Sequence, residues 1–262
     1  NPQMPVSWKH RPTHIKIGTT SYFSEFMDPV VPGNVRFFKA LVGARTALSD
    51  GTGTVAEYAA AAKAAGYSVI VFTENFEQLS SEDFARLQRE CTENSSLDFI
   101  AMPGLDIQDP HGNHFLALNP PYYPPAKWLT ADGKRLERTQ MINLCWGAAH
   151  IVAHRAGTSP LTPERLKHFQ GLSNATYRGD KQVDDSYQHF EWQVQAGSNP
   201  HPFAVHETFS PSEVAVAAAT GLQQLLPGDV VKTAAEYMRT GAAHYFDAPA
   251  RYMVSSGPVV TE

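Results

Sequence analysis

Residues 37–54 read Phe37-Phe38-Lys39-Ala40-Leu41-Val42-Gly43-Ala44-Arg45-Thr46-Ala47-Leu48-Ser49-Asp50-Gly51-Thr52-Gly53-Thr54, and residues 67–75 read Tyr67-Ser68-Val69-Ile70-Val71-Phe72-Thr73-Glu74-Asn75. The pattern is strand, polar turn, helix, strand, polar end. Ser49-Asp50-Gly51 makes the turn. Thr54 and Glu57 have capping-box spacing, in which the threonine accepts from the third helical amide and the glutamate reaches back to the cap. The predicted helix runs through Tyr58 and the alanines to Gly66, which suits a left-handed stop. Residues 67–72 are apolar, rich in β-branched side chains and of buried-strand length. A βαβ unit buries its strands and leaves polar residues at their carboxyl ends, where α/β folds bind ligands. Thr73-Glu74-Asn75 stands at such an end.

The same rhythm continues downstream. Ser80 and Asp83 mark a helix start, with Phe84, Leu87 and Cys91 on one face. Residues 97–102 form the next predicted strand, closing on Pro103-Gly104-Leu105-Asp106-Ile107, and residues 114–118 form another. Residues 109–113 read as a polar hairpin, and either His111 or His114 is a candidate for a histidine just ahead of the next strand. Residues 119–128 hold four prolines and two tyrosines and read as an ordered loop or lid. A helix is predicted at 138–146, a strand with histidines at both ends at 150–154, and a helix opening on Thr162-Pro163-Glu164. Residues 171–185 read as an insertion-like polar loop, 187–196 as a helix and 203–206 as a late strand. Ser210-Pro211-Ser212-Glu213 caps another helix, and 229–240 forms the last. The domain reading is an arm at 1–36 with a short strand near residues 14–18, a barrel domain at 37–250 and an extension at 251–262.

These motifs resemble the PHP family (polymerase and histidinol phosphatase-like domains). That family opens with a strand ending in His-x-His-Thr, then Ser-Asp-Gly, a helix, and a strand ending in Thr-Asp-His. Pro-Gly-x-Glu, Ala-His-Pro and Gly-Ser-Asp-x-His follow. The resemblance implies a distorted seven-stranded (β/α) barrel of the α/β class. It also implies a cluster of two or three divalent metals that activates water for phosphoester hydrolysis. In this chain the frame is kept and the donors are changed. Gly43 and Arg45 stand at the His-x-His positions, with Thr46 retained, and Glu74 and Asn75 stand at the Asp-His pair. Asp106 takes the glutamate position, and His154 matches Ala-His-Pro with Arg155 in place of the proline. His206 stands nearest the last motif, without its Asp-x-His spacing. The vestigial site is thus Gly43, Arg45, Asp50, Glu74, Asn75, Asp106, His154 and His206. Any metal would fall to Asp106, His114, His154 and His206.

A guanidinium is charged at any ordinary pH, so Arg45 works against a multi-metal centre. Arg45 is instead expected to be the counter-charge for Asp106 or Glu74, with His154 close by. The expected function is a catalytically inactive PHP-derived domain, a pseudoenzyme with a degenerate metal site, acting as a structural, assembly or protein–protein interaction module. The alternatives are a residual metal-dependent phosphoesterase using zinc or manganese, or a phosphate- or anion-binding module using Arg45 and Arg155. No cofactor is otherwise expected.

Bulk composition narrows the partners. The chain of 262 residues carries 21 Lys+Arg against 26 Asp+Glu and has no basic run, which argues against nucleic-acid backbone binding. No apolar stretch reaches the roughly 18 residues of a membrane span. No Cys-x-x-Cys-His occurs, so no c-type haem attaches. Cys91 and Cys145 fall in predicted helices and read as buried thiols. A first residue other than methionine is expected of a processed chain or of a piece of a longer one, and a removed signal peptide would imply an extracellular or periplasmic location. A protein partner or self-assembly is expected, with the arm and the aromatic loop as contact surfaces.

Overall fold

The computed structural model describes residues 8–17, 20–29, 35–96, 98–109, 111–120, 122–123, 150–155, 171–184, 201–220, 222–229 and 253–256. The chain divides into two compact units, one of residues 1–36 with 229–231, the other of residues 37–228 with 232–262. In the first, β1 (Trp8–Ile17) and β2 (Thr20–Pro29) form an antiparallel hairpin, longer than the short strand expected there.

The second unit begins with the βαβ stretch. Strand β3 (Val35–Ala44) leads to α1 (Val55–Ala64), and β4 (Val69–Phe72) pairs parallel to β3. Thr54 and Glu57 complete the capping box at the start of α1. At its end the Gly66 amide donates to Lys63 O and the Tyr67 amide to Ala62 O, with Gly66 at φ +76°. That pair of bonds is the Schellman stop, and it needs a residue free to take the left-handed conformation.

Strand β5 (Glu74–Asn75) follows directly on β4, and α2 (Ser81–Asn94) follows with Ser80 as N-cap. Its buried face is Phe84, Leu87 and Cys91, and the Cys91 thiol is free. Next come β6 (Ile100–Met102), shorter than the predicted 97–102, then β7 (Gly104–Gln108), β8 (His114–Leu118) and β9 (His150–Arg155). The predicted polar loop at 171–185 is instead a hairpin of β10 (Gly171–Arg178) and β11 (Lys181–Asp184), with β10 parallel to β9 and to β12 (His201–Glu207). The polar sequence hid the strand because two of its buried residues are Ser173 and Thr176, which bond to each other at 3.1 Å. Helix α3 (Glu213–Ala219) begins without the expected serine cap: Ser212 makes no side-chain cap bond, and the Glu213 carboxylate accepts from the Phe209 amide at 2.6 Å. Strands β13 (Leu222–Asp229) and β14 (Met253–Ser256) complete the described elements. The predicted helices at 138–146, 162 onward, 187–196 and most of 229–240, most of the aromatic loop, and Cys145 lie outside the described residues.

Among the described residues the ladders do not close into the expected distorted seven-stranded barrel. The strands make a five-stranded sheet ordered β14-β13-β3-β4-β6 and a seven-stranded sheet ordered β11-β10-β9-β8-β7-β5 with β12 beside β10. The chain passes from one sheet to the other at Thr73, between β4 and β5, and at Pro103, between β6 and β7. Proline lacks the amide that a ladder requires. An isolated parallel bridge, Ala44 with Thr208, links the ends of β3 and β12.

Two apolar layers result. One packs α1, α2 and α3 on the sheets through Val55, Tyr58, Phe84, Leu87 and Val214 against Leu41, Ile70, Phe72 and Ile107. The other joins the opposite strand faces, with Ala40, Val42, Val69, Val71, Ile100 and Met102 of the five-stranded sheet meeting Leu116, Val152, Phe203 and Val205 of the seven-stranded sheet. No helix of the described residues is long and apolar enough to cross a membrane.

Candidate functional site

Side chains alternate faces along a strand, so residues two apart share one. The second apolar layer therefore predicts what stands at its polar edge. Val152 is followed on the same face by His154, and Phe203 and Val205 are followed by Glu207. Ile100 and Met102 continue through Gly104 to Asp106. On β3 the pairing with β4 slips between Val42 and Ala44. This bulge turns Arg45 onto the face of Ala40 and Val42. The apolar layer ends in Arg45, Asp106, His154 and Glu207, all buried.

Gly43 forms the bulge. Its φ is +119°, and a Cβ there would stand 2.5 Å from the carbonyl oxygen of His206. A histidine at this first family position has no room on this backbone. Beyond the bulge, the Arg45 amide donates to Thr208 O at 2.9 Å and the Thr208 amide to Gly43 O at 3.1 Å. The Tyr58 hydroxyl lies 2.8 Å from Arg45 O and 3.0 Å from Thr208 O. Helix α1 thus ties the ends of β3 and β12 together, and with them Arg45 and Glu207.

The polar cluster is a network of ion pairs. Arg45 Nη1 bonds to Asp50 Oδ2 at 2.6 Å, and Arg45 Nη2 bonds to Asp106 Oδ2. Asp106 Oδ1 accepts from His114 Nδ1 at 2.9 Å. Glu207 Oε1 receives Arg155 Nη2 at 3.1 Å and His154 Nε2 at 3.3 Å. Glu207 Oε2 receives Arg178 Nη2 at 2.7 Å and Nε at 3.1 Å. The Phe209 ring lies under two of the guanidinium groups, 4.8 Å from that of Arg178 and 5.2 Å from that of Arg45. Arg45 is therefore held by two carboxylates and an aromatic face.

The electrostatics follow. Burial of Asp106 and Glu207 pushes their carboxyls up. For Asp106 the hydrogen bond from His114 and the charge of Arg45 bring the pKa below the usual value. For Glu207 the bonds and charges of His154, Arg155 and Arg178 bring it well below the carboxylate range. Burial works against the charge of Arg45, yet Asp106, Asp50 and Glu207 raise its pKa further. An ionised Glu207 can only accept, so in this contact His154 Nε2 is the donor. Its Nδ1 faces Thr176 Oγ1 at 3.3 Å.

The structure gathers Arg45, Asp50, Asn75, Asp106, His114 and His154 from the sequence-predicted set. Asn75 Nδ2 donates to Asp50 Oδ2 at 3.2 Å. Glu74 is buried beside the cluster but bonds elsewhere: Oε1 accepts from the Thr46 amide at 2.9 Å and hydroxyl at 2.7 Å, and Oε2 accepts from Ser49. Arg45 therefore pairs with Asp106 and Asp50 and not with Glu74. His206 does not join the cluster. It lies on the other face of β12, with Nε2 2.9 Å from Thr220 Oγ1 and its ring against Tyr177. Burial and the charge of Lys39 lower its pKa to about 4, which keeps it neutral. Sequence reading passed over Glu207 and Arg178. The alternation from Phe203 and Val205 was the available signal for Glu207. Arg178 had none, because its strand was read as a loop.

One atom each from Asp106, His154 and Glu207 lie within 4.8 Å of one another, the spacing of a set that could hold a metal ion. The surrounding chemistry does not fit one. Every carboxylate oxygen of Asp106 and Glu207 already faces an arginine or histidine nitrogen. Asp50, Asp106 and Glu207 are matched by Arg45, Arg155 and Arg178. A dication about 4 Å from one guanidinium is opposed by roughly 8 kcal/mol at an effective dielectric near 20. The carboxylates that would offset this are already neutralised.

The protein has a mixed α/β fold, and its likeness to PHP-like proteins is one of fold. No protein-family model matches the sequence, and no curated protein matches it. Solved structures match at the level of fold. A two-domain protein from Bacteroides vulgatus, containing a predicted PHP-like metal-dependent phosphoesterase, superposes with a TM-score of 0.60 at 12% identity. That match covers 86% of this chain and 66% of the other, so the chain spans less than two thirds of that protein. PsfC from Pseudomonas syringae gives a TM-score of 0.52 at 11% identity, covering 77% of this chain and 88% of that one. A candidate metal-dependent phosphoesterase from Bifidobacterium adolescentis gives 0.50 at 10% identity, covering 66% and 88%.

Proposed function

We propose that this domain is a catalytically inactive derivative of the PHP fold that serves as a structural, assembly or interaction module. The observation that carries the reading is the occupancy of the donor set: arginine and histidine nitrogens take all four oxygens of Asp106 and Glu207. A hydrolase of this fold family needs open metal positions for water and phosphoester. Elemental analysis of the purified protein tests this, with turnover of p-nitrophenyl phosphate and nucleotides in added Mn2+ or Zn2+. The expected result is substoichiometric metal and no turnover. Metal-dependent turnover abolished by Asp106→Ala would overturn the reading.

A second reading has one observation in its favour, the convergence of Asp106, His154 and Glu207. In that reading the triad holds one dication and the domain is a residual phosphoesterase. It requires Arg45 and Arg155 to leave their carboxylates, against the charge balance described above.

A further inference from the structure

We infer that Arg45 is the resident cation of this site: its guanidinium stands in for a divalent ion, and this one charge keeps such an ion off Asp106, His154 and Glu207. The inference rests on the reading of the site as metal-free and adds which residue makes it so.

Three arginines meet the carboxylates, and they are not equivalent. The Arg155 and Arg178 side chains are 26% and 51% exposed, whereas that of Arg45 is 6% exposed. The two rim arginines are partly open to water, although Arg155 Nη2 also lies 4.0 Å from Asp106 Oδ2. Arg45 has no such opening. Two carboxylates hold its Nη atoms, Phe209 lies against its plane, and its backbone is pinned to Thr208 and under the Tyr58 hydroxyl. Its Nε, like that of Arg155, is buried without a hydrogen-bond partner. What sets Arg45 apart is that its whole side chain is buried while both Nη atoms are held by the carboxylates of Asp50 and Asp106. Removing its charge leaves Asp106, Glu207 and Asp50 with an excess negative charge beside His154. That composition of carboxylates and imidazole suits zinc or manganese.

The test compares wild type, Arg45→His, Arg45→Met and Arg155→Gln by calorimetric titration with Mn2+ and Zn2+, Co2+ absorption and thermal unfolding with and without metal. Circular dichroism confirms folding. The expected result is no stoichiometric binding by wild type or by Arg155→Gln. Folded Arg45→His and Arg45→Met should gain affinity by at least about tenfold, with a metal-dependent rise in unfolding temperature that a second change, Asp106→Asn, abolishes. If wild type binds metal stoichiometrically through Asp106, the metal-free reading fails and this inference with it. If wild type is metal-free and the folded Arg45 variants stay so, the inference alone fails. Should neither Arg45 variant fold, Arg155→Gln decides: metal gained with Arg45 intact overturns the inference, and continued exclusion supports it.

Discussion

Arg45 and Asp106, 61 positions apart in the chain, meet as a buried ion pair through Nη2 and Oδ2, on side chains only 6% and 2% exposed. Arg45 stands at the second histidine position of the motif this chain resembles, and Asp106 at its Pro-Gly-x-Glu position. The pair neutralises a carboxylate buried at the end of β7.

Breaking the pair from one side strands a buried carboxylate. Arg45→Ala is expected to cost about 3 kcal/mol of unfolding free energy, measured by urea denaturation. Asp106→Asn and the double variant complete a cycle, with a coupling above about 1 kcal/mol expected. An Arg45→Ala protein as stable as wild type would show that the pair is incidental.

Gly43 is fixed by backbone geometry. Its positive φ and the 2.5 Å approach of the His206 carbonyl exclude any side chain. Gly43→Ala should destabilise by more than about 2 kcal/mol, and Gly43→His should not restore metal binding. A Gly43→Ala variant with unchanged unfolding temperature would refute the close approach.

Glu74 confers a pH dependence. Burial outweighs its bonds from Ser49 and Thr46 and raises its pKa from 4.5 to about 7. The folded state therefore holds a proton that the unfolded state releases. This stabilisation is full below about pH 4.5 and is lost as pH rises through about 7, on the order of 3 kcal/mol in total. Unfolding free energy is expected to be lower near pH 8 than near pH 5.5. Glu74→Gln, which keeps an acceptor for Thr46, should flatten that slope. An unchanged slope in Glu74→Gln would assign the titration to another group.

The sequence by itself determined the local structure of the βαβ stretch. The capping box at Thr54, the Gly66 stop and the buried face of α2 rest on contacts within a few residues, so spacing alone reveals them. The resemblance to the PHP motifs also marked Arg45, Asp106 and His154, by their places in those motifs. Only the tertiary structure decided which charges pair. Arg45 bonds to Asp50 and Asp106, while Glu74 turns to Thr46 and Ser49, a choice made by the bulge at Gly43. Only the structure put Glu207, not His206, into the cluster, because one residue of strand register selects the face. Arg178 came into view only with β10, whose inward Ser173 and Thr176 carry no apolar signal: their hydroxyls bond to each other and to His154, and partners from distant strands are what make such a polar strand worth burying.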